Sequence, residues 1–112
     1  MKIAVSSTGK TIESKIEPAF GRCPFFLIIE TKDNTVLNVE AVENRNAESI
    51  GMAGVSAVRL VAEKGAQAVI TGRIGPRAMD ALKQFRIKAY NGNGSAKNAL
   101  KLLAKEKLER IC

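Results

Sequence analysis

Cys23 carries the most distinctive side chain for chemistry in this sequence. It follows a Phe-Gly-Arg triplet at residues 20–22 and precedes Pro24, at the start of a strongly apolar stretch. A thiol beside an arginine and near helix N-termini ionises readily, and a thiolate is a good metal ligand. We therefore expect Cys23 to be exposed and to act as a metal ligand; the alternative is an ordinary small residue in a loop.

Glycine recurs with small polar or basic residues in three further segments, residues 6–10, 71–76 and 91–95. The last two segments precede predicted helices, whose free N–H groups and positive dipole ends favour anions. The alternative is that strand-to-helix turns need glycine only for their backbone geometry. On the first interpretation, the predicted ligand-binding residues are Ser6, Lys10, Phe20, Gly21, Arg22, Gly72, Arg73, Gly75, Gly92 and Gly94, with Arg77 close by.

The residue types that are missing narrow the chemistry further. The chain has no histidine and two cysteines, which leaves no CxxC signature of a zinc or ferredoxin-type site. Cys112 is expected at the end of a helix of roughly sixteen residues, at the opposite end of the sheet from Cys23. A disulfide or shared ligation of one cluster is therefore not expected. Since one thiol cannot hold a cubane cluster, backbone amides and basic side chains hold the ligand, or several chains each contribute Cys23.

Length and composition are those of one soluble domain. The 112 residues are 46% hydrophobic and 26% charged, and we expect a single domain over residues 1–112. The net charge of +7 suggests an acidic partner (nucleic acid, anionic lipid or a small anion) or else a solvated lysine-rich surface.

No apolar run approaches the roughly 20 residues of a membrane span. The N-terminus leads into a strand rather than a signal peptide, so we expect a cytoplasmic protein without a membrane partner.

Hydrophobic periodicity predicts strands and helices in alternation. Strands are expected at residues 3–5, 25–29, 36–42, 68–70 and 87–90, with a hairpin turn at 32–34. Helices are expected from Ile50 to Gly65, from Pro76 onward, and after an N-cap at Ser95. Their predicted inner faces comprise Ile50, Gly54, Ala57, Val58 and Val61; Ala78, Met79, Leu82 and Phe85; and Ala96, Leu100, Leu103, Ala104, Leu108 and Ile111.

These elements fit a three-layer α/β/α sheet of five strands. Right-handed crossovers make the first, fourth and fifth strands parallel neighbours, in the order 3-2-1-4-5, with strand 2 antiparallel to strand 1. Ligands of such sheets bind beyond the carboxyl ends of the parallel strands, where the three glycine segments meet. The antiparallel second strand begins at the same edge and brings residues 20–24 beside them. We therefore expect an anion-binding crevice at this edge.

Three elements of the sequence together resemble the dinitrogenase iron–molybdenum cofactor biosynthesis family. They are the triplet at residues 20–22 before a strand, the helix start at 51–54 and the glycine loop at 70–75. The resemblance extends from Met1 to roughly Leu103. It implies a ribonuclease H-like fold and the binding or carriage of metal–sulfur species, including nitrogenase cofactor precursors.

The resemblance also implies roles for particular residues. Residues 20–22 match the FGR element of the family, and Gly72 and Gly75 match its second glycine loop. Many relatives have a histidine just before the FGR element, where this chain has Ala19, so the Cys23 thiolate is the expected substitute ligand. The implied cofactor is a labile iron–sulfur or molybdenum–iron–sulfur cluster.

The leading functional hypothesis is non-enzymatic binding, carriage or storage of an anionic metal–sulfur species. The expected protein partners are a second copy of the chain or a cluster donor or acceptor.

One alternative is a nucleic-acid-binding ribonuclease H-like module without nuclease activity, which is less favoured because the phenylalanines are expected in the core. Asp33 and Asp80 are expected in a hairpin turn and on a helix, away from a nuclease centre. Another alternative is an enzyme acting on a phosphorylated metabolite, for which Lys10, Cys23 and the carboxylates lack catalytic spacing.

Overall fold

Strands and helices alternate along most of the chain in the computed structural model, which describes residues 1–45 and 53–112. The strands are β1 (Lys2–Ser7), β2 (Phe25–Lys32), β3 (Thr35–Glu43), β4 (Ala68–Thr71) and β5 (Lys88–Asn91). The helices are α1 (Ala53–Glu63), α2 (Pro76–Gln84) and α3 (Ala96–Ala104). A short 3-10 helix between β1 and β2 spans Phe20–Arg22 and is named the FGR turn.

β1 lies at the centre of a five-stranded mixed sheet whose order is β3-β2-β1-β4-β5. It pairs in parallel with β4, and β4 pairs in parallel with β5. On its other side β1 is antiparallel to β2, in a register that places Val5 opposite Leu27. The predicted strand order and the antiparallel second strand are therefore confirmed, while the ribonuclease H-like label stays a prediction.

Alternating side chains of the strands build two hydrophobic clusters, one on each face of the sheet. α1 and α2 cover the first face, where Val58 and Leu82 belong to the same cluster as Phe26 of β2. α3 covers the second face, where Ala99 joins Val5 of β1. β1 and β4 are buried on both faces, which explains why they appear in the sequence as short continuous apolar runs.

A two-residue turn joins β2 to β3, as the hairpin prediction requires. Asp33 and Asn34 have positive φ angles of 52° and 65°, which a type I′ turn needs and which these residue types tolerate. A register shift between Glu30 and Thr31 leaves Leu37 of β3 without a partner in β2. β3 is longer than predicted, and most of its side chains are exposed.

α3 is shorter than predicted because the chain leaves the helix at Glu106, whose φ is 57°. The Lys107 N–H donates to the Leu102 carbonyl oxygen (2.9 Å), and the Glu106 N–H donates to that of Leu103 (3.0 Å). These are the two hydrogen bonds of a Schellman motif. This helix end was not predicted because its left-handed position holds glutamate instead of glycine.

Residues 109–112 lie along β5 instead of forming a last helical turn. The Ile111 N–H donates to the Ala89 carbonyl oxygen (2.7 Å). Leu108 packs on the α3 face, whereas Ile111 and Cys112 pack against the cluster on the other face. The prediction that Cys112 ends a long helix is therefore wrong, and both cysteines of the chain are free thiols.

Two further helix expectations have opposite outcomes. Gly65, with a φ of 83°, follows α1 as the predicted stop. Phe85, predicted on the inner face of α2, is 52% exposed, because the chain leaves the helix there and Arg86 adopts a positive φ of 58°.

The predicted helix start at Ile50, and the first half of the 51–54 element, fall on residues 46–52, outside the described residues. None of the helices in the described ranges has the length and apolar character needed to span a membrane.

Replacing Glu106 with glycine is expected to raise the free energy of unfolding by up to about 1 kcal/mol, because glycine adopts a positive φ without steric cost. Lys105→Gly is the matched control: Lys105 has a φ of −91°, so glycine there is expected to destabilise the fold by about 0.5–1 kcal/mol. Urea denaturation followed by circular dichroism measures both effects. A Glu106→Gly variant less stable than the parent would contradict this account of the helix end.

Candidate functional site

Residues 15–19 cross the carboxyl edge of the sheet and pair with segments that were expected to form one open crevice. Their β-bridges join Ser7 to Ile16, Lys15 to Ser95, and Ala19 to Arg73. The Arg73 N–H also donates to the Pro18 carbonyl oxygen (2.7 Å). The expected crevice is therefore divided, because this crossing segment (residues 15–19) fills its middle.

Close packing at the crossing segment explains two of the predicted site glycines. A Cβ on Gly72 would lie 2.6 Å from Pro18 Cα, and a Cβ on Gly92 would lie 2.5 Å from Ile70 Cγ2. Both separations are well below van der Waals contact, so a side chain at Gly72 would force the backbone apart and one at Gly92 would displace the Ile70 side chain. Gly94 instead adopts a positive φ of 74°, where side chains are strained.

A pocket of about 570 Å³ lies on the face of the sheet that α1 and α2 cover. Three parts of the chain line it: the FGR turn with Ala19, the first turn of α1, and residues 73–78 at the start of α2. The pocket is thus bounded by the end of β4, where ligands of parallel sheets commonly bind.

Positive charge dominates this pocket, which we name the arginine pocket. Arg22, Arg73 and Arg77 line it, and none of the described residues in its lining is Asp or Glu. α2 also begins here, with Gly75 as its N-cap and Pro76 as its first residue. The N–H groups of the first turn and the positive end of the helix dipole therefore lie at the pocket. Such a site favours an anion.

Phe20 anchors the FGR turn to the hydrophobic core. Its buried ring packs against Phe26, with ring centroids 5.3 Å apart and planes inclined by 59°. The Phe20 N–H donates to the Arg73 carbonyl oxygen (3.2 Å). Because this bond and the Arg73–Pro18 bond tie the turn to the start of α2, Arg22 and Arg73 border the same pocket.

Small residues let α1 approach both the FGR turn and α2. A Cβ on Gly21 would lie 2.8 Å from the Gly54 nitrogen, and a Cβ on Gly54 would lie 3.0 Å from Ala78 Cβ. Gly54 and Ala78 line the pocket but were not among the predicted site residues. The signal that could have identified Gly54 was its membership of the family-like helix start at residues 51–54.

The structure brings half of the predicted ligand-binding residues to one pocket. Those that line it are Phe20, Gly21, Arg22, Arg73 and Gly75. Those that lie outside its lining are Ser6, Lys10, Gly72, Gly92 and Gly94. A contact between this second group and a ligand stays a prediction.

Ser6 and Lys10 are both engaged elsewhere in the fold. Ser6 is buried, and its hydroxyl donates to the Glu17 carbonyl oxygen at 2.7 Å and lies 2.7 Å from Thr71 Oγ1. The Lys10 ammonium lies over the Phe25 ring, 5.4 Å from its centroid. Ser6 was expected in a loop, but β1 continues through Ser7.

Cys23 is buried, so the prediction of an exposed thiolate is wrong. Its Sγ–H donates to the Phe20 carbonyl oxygen (3.4 Å), and the Asn44 side-chain amide donates to the Cys23 carbonyl oxygen (2.9 Å). Burial raises the pKa of the Cys23 thiol to about 12, because a thiolate would lose its hydration there. The thiol is neutral at physiological pH. Its role as a metal ligand stays a prediction, and would require the surrounding residues to separate.

The arginine pocket can bind an anion through the anion's outer atoms. Guanidinium and backbone N–H groups donate hydrogen bonds to sulfur or oxygen atoms, but they do not coordinate metal ions. Over residues 1–45 and 53–112, no group of three or more His, Cys, Asp or Glu side chains is placed to hold a metal ion. A metal–sulfur species in this pocket would therefore be held by its peripheral atoms.

Comparison with known proteins places the chain among cofactor-related proteins. Residues 1–106 match the family described as dinitrogenase iron–molybdenum cofactor. Uncharacterized protein MJ0580 of Methanocaldococcus jannaschii is 34% identical over 99 residues, which cover 88% of this chain and 84% of that protein. None of these similarities favours the nucleic-acid alternative.

Solved structures share the fold over nearly the whole chain. The apo form of the orange protein from Desulfovibrio gigas superposes with a TM-score of 0.91 at 24% identity, covering 99% of this chain and 92% of that one. A Thermotoga protein, TM1290, described as a candidate NifB protein, gives a TM-score of 0.83 at 29% identity, with coverages of 98% and 92%.

Cys23 is expected to resist alkylation in the folded protein, because a buried thiol with a pKa of about 12 keeps its proton. The half-buried Cys112 is the internal control and is expected to react first. Iodoacetamide labelling before and after urea denaturation, followed by peptide mass spectrometry, measures both thiols. Labelling of Cys23 as fast as Cys112 in the native protein would contradict the buried position.

The Cys23 thiol makes the stability of the fold depend on pH in the alkaline range. The unfolded chain releases this proton near pH 9.0, whereas the folded chain keeps it until about pH 12. Stability is therefore lost as the pH rises through this window, since the unfolded state binds fewer protons. Cys23→Ala is expected to lose less stability than the parent between these pH values.

Proposed function

Because the chain belongs to the dinitrogenase iron–molybdenum cofactor family, we propose that it binds an anionic metal–sulfur species in the arginine pocket and carries or stores it without catalysing a reaction. The observation that supports this most is the set of three arginines around the start of α2, with no acidic residue in the described lining. The family supplies the link to a metal–sulfur cofactor, and the pocket supplies a way of holding one.

The walls of the pocket favour a large, polarisable anion over a small oxyanion. Phe20, Val55 and Ile74 are among the apolar residues that line the pocket. Guanidinium groups are weakly hydrated and pair readily with anions of low charge density. The volume of about 570 Å³ leaves room for several metal and sulfur atoms. Iron–sulfur and molybdenum–iron–sulfur species both fit this description.

The buried state of Cys23 supports reversible capture. With that thiol neutral at physiological pH, the cargo is held by hydrogen bonds and charge, and no metal–thiolate bond has to break on release. Such binding is sensitive to salt, since screening weakens the attraction of the arginines. These properties suit a carrier that receives a cluster from one protein and passes it to another.

Arg73→Gln is expected to weaken the binding of tetrathiomolybdate by about tenfold to a hundredfold, because a hydrogen bond to a charged group contributes about 1.5–3 kcal/mol. Lys83→Gln, which removes the same charge near the far end of α2, is the control and is expected to leave the Kd within about twofold. Anaerobic equilibrium dialysis with molybdenum analysis measures the Kd of each variant.

Reconstitution with iron and sulfide under the same conditions tests the iron–sulfur form of the cargo, and Cys23→Ser tests the thiol in parallel. Retention of cargo by Cys23→Ser is the expected result. Failure of the parent protein to bind either probe would overturn the proposal. Equal binding by Arg73→Gln and Lys83→Gln would move the site away from the arginine pocket.

Two substitutions of Gly75 distinguish the effect of charge on anion binding from the effect of N-capping on the stability of α2. Nothing lies within 4 Å of a Cβ built there, and its φ of −69° and ψ of 162° suit any residue. Asn and Asp are both good N-caps and are expected to raise stability by at most a few tenths of a kcal/mol. Only Gly75→Asp adds a negative charge to the pocket, and it is expected to bind tetrathiomolybdate about tenfold more weakly than Gly75→Asn. Dialysis and urea denaturation measure the two properties, and equal affinities would contradict the site.

A further inference from the structure

We propose that β3 is a dimerisation edge, along which two copies of this chain pair antiparallel across a two-fold axis and join their sheets into one. This inference is independent of the arginine pocket, which lies at a different part of the sheet. It starts from a difference between the two outer strands, β5 and β3.

The β5 edge of the sheet is covered by the chain itself. The Asn91 N–H donates to the Glu109 carbonyl oxygen (2.8 Å), and the Ala89 N–H donates to that of Cys112 (3.1 Å). A bridge between Tyr90 and Arg110 completes this short antiparallel segment. The backbone groups that β5 turns outward therefore have partners, and this edge cannot take up a strand from another molecule.

The β3 edge has no such cover in the described part of the chain. It is nine residues long and contains no proline, lysine or arginine, which are the residues that commonly protect an edge. Val36 and Leu37, two of the exposed large hydrophobic residues, both lie on it, at 39% and 57% exposure. A long, partly apolar edge strand whose only charged residues are Glu40 and Glu43 is a template for pairing with another strand.

Backbone geometry identifies which groups of β3 are available. The Asn44 N–H donates to the Pro24 carbonyl oxygen (2.9 Å), so the backbone of Asn44 points towards β2. Because residues of an antiparallel pair alternate in direction, Val39, Ala41 and Glu43 turn their N–H and carbonyl groups away from β2. On the N-terminal side of Val39, the register shift at Leu37 interrupts this alternation.

One register uses all three of these residues and places no two carboxylates directly opposite each other. With Ala41 on the two-fold axis, Val39 lies opposite Glu43 of the second copy, and Glu40 lies opposite its Val42. A register centred on Glu40 or Glu43 would instead place two carboxylates face to face, which is unfavourable. Glu40 also has a cation of its own chain, since its carboxylate lies 3.0 Å from the Lys64 ammonium. The strand is thus complementary to itself in backbone hydrogen bonding, and each glutamate lies opposite a valine instead of another carboxylate.

Ala41→Pro tests this edge with little effect on the pairing of β3 with β2. Proline removes the outward N–H on the two-fold axis, a position where edge strands tolerate it, while Ala41→Thr keeps that N–H and is the control. Sedimentation velocity over about a hundredfold range of protein concentration is expected to show a dimer for the parent and Ala41→Thr, and a monomer for Ala41→Pro. Ala41→Lys, which keeps every backbone hydrogen bond but places two ammonium groups together, is also expected to be monomeric.

A disulfide across the axis tests the register itself. Directly opposed residues of a hydrogen-bonded pair have Cα atoms about 5.5 Å apart, within the range of a disulfide. In a Cys112→Ser background, Ala41→Cys is expected to form a covalent dimer on mild oxidation, whereas Asn38→Cys is not, since it lies opposite Asn44 of the second copy. A parent protein that is monomeric at every concentration, or a cross-link at residue 38 in place of 41, would overturn the proposal.

Discussion

The backbone of Arg73 holds the crossing segment and the start of α2 together. Its N–H donates to Pro18 and its carbonyl oxygen accepts from Phe20, at 2.7 and 3.2 Å. The two bonds pair backbone groups of Pro18, Phe20 and Arg73 with one another at the carboxyl edge of the sheet. They also require Gly72 next to them, because a Cβ there would collide with Pro18. Without this pairing, the FGR turn would have no fixed position relative to α2, and the arginine pocket would lose one wall.

The site therefore depends on backbone contacts and small residues more than on a set of ligating side chains. Gly21 and Gly54 bring α1 against the FGR turn, and Ala78 brings α2 against α1. Phe20 and Cys23 fill the hydrophobic cluster beneath. The core thus determines where the pocket lies, and arginines at its rim determine what it can bind. Under the proposed function, this division would let a chain without histidine hold a metal-containing anion.

Periodicity and turn residues predicted the architecture well because they act locally. Gly65, Ser95 and the Asp33–Asn34 pair each mark an element boundary that the structure confirms. The ends of α2 and α3 were harder to predict because Arg86 and Glu106 occupy left-handed positions where glycine is usual. At those positions, packing of the following residues outweighs the steric preference of the side chain. No local pattern in the sequence records such a balance.

The candidate site was predicted in part, for a similar reason. Arg22, Arg73 and Gly75 were assigned correctly to one edge of the sheet, since strand order alone brings them together. The burial of Cys23 was not predicted; its contacts include Asn44, which is 21 residues away in the sequence. Charge and glycine content predicted an anion site at this edge, but the pairing of residues 15–19 that divides the edge was not predicted.

On the proposed function, the start of α2 couples the binding of cargo to the stability of the fold. Gly75 has no side chain with which to cap the helix, and an anion bound beside it would accept hydrogen bonds from N–H groups of the first turn. An anion bound there would accept the hydrogen bonds that a capping side chain accepts in other helices. It would also stabilise the folded chain by mass action, in proportion to the logarithm of its concentration over Kd. Loaded chains would then unfold and be degraded more slowly than empty ones. Proteolysis in the cell would in this way remove empty carriers first and match the amount of protein to the supply of clusters.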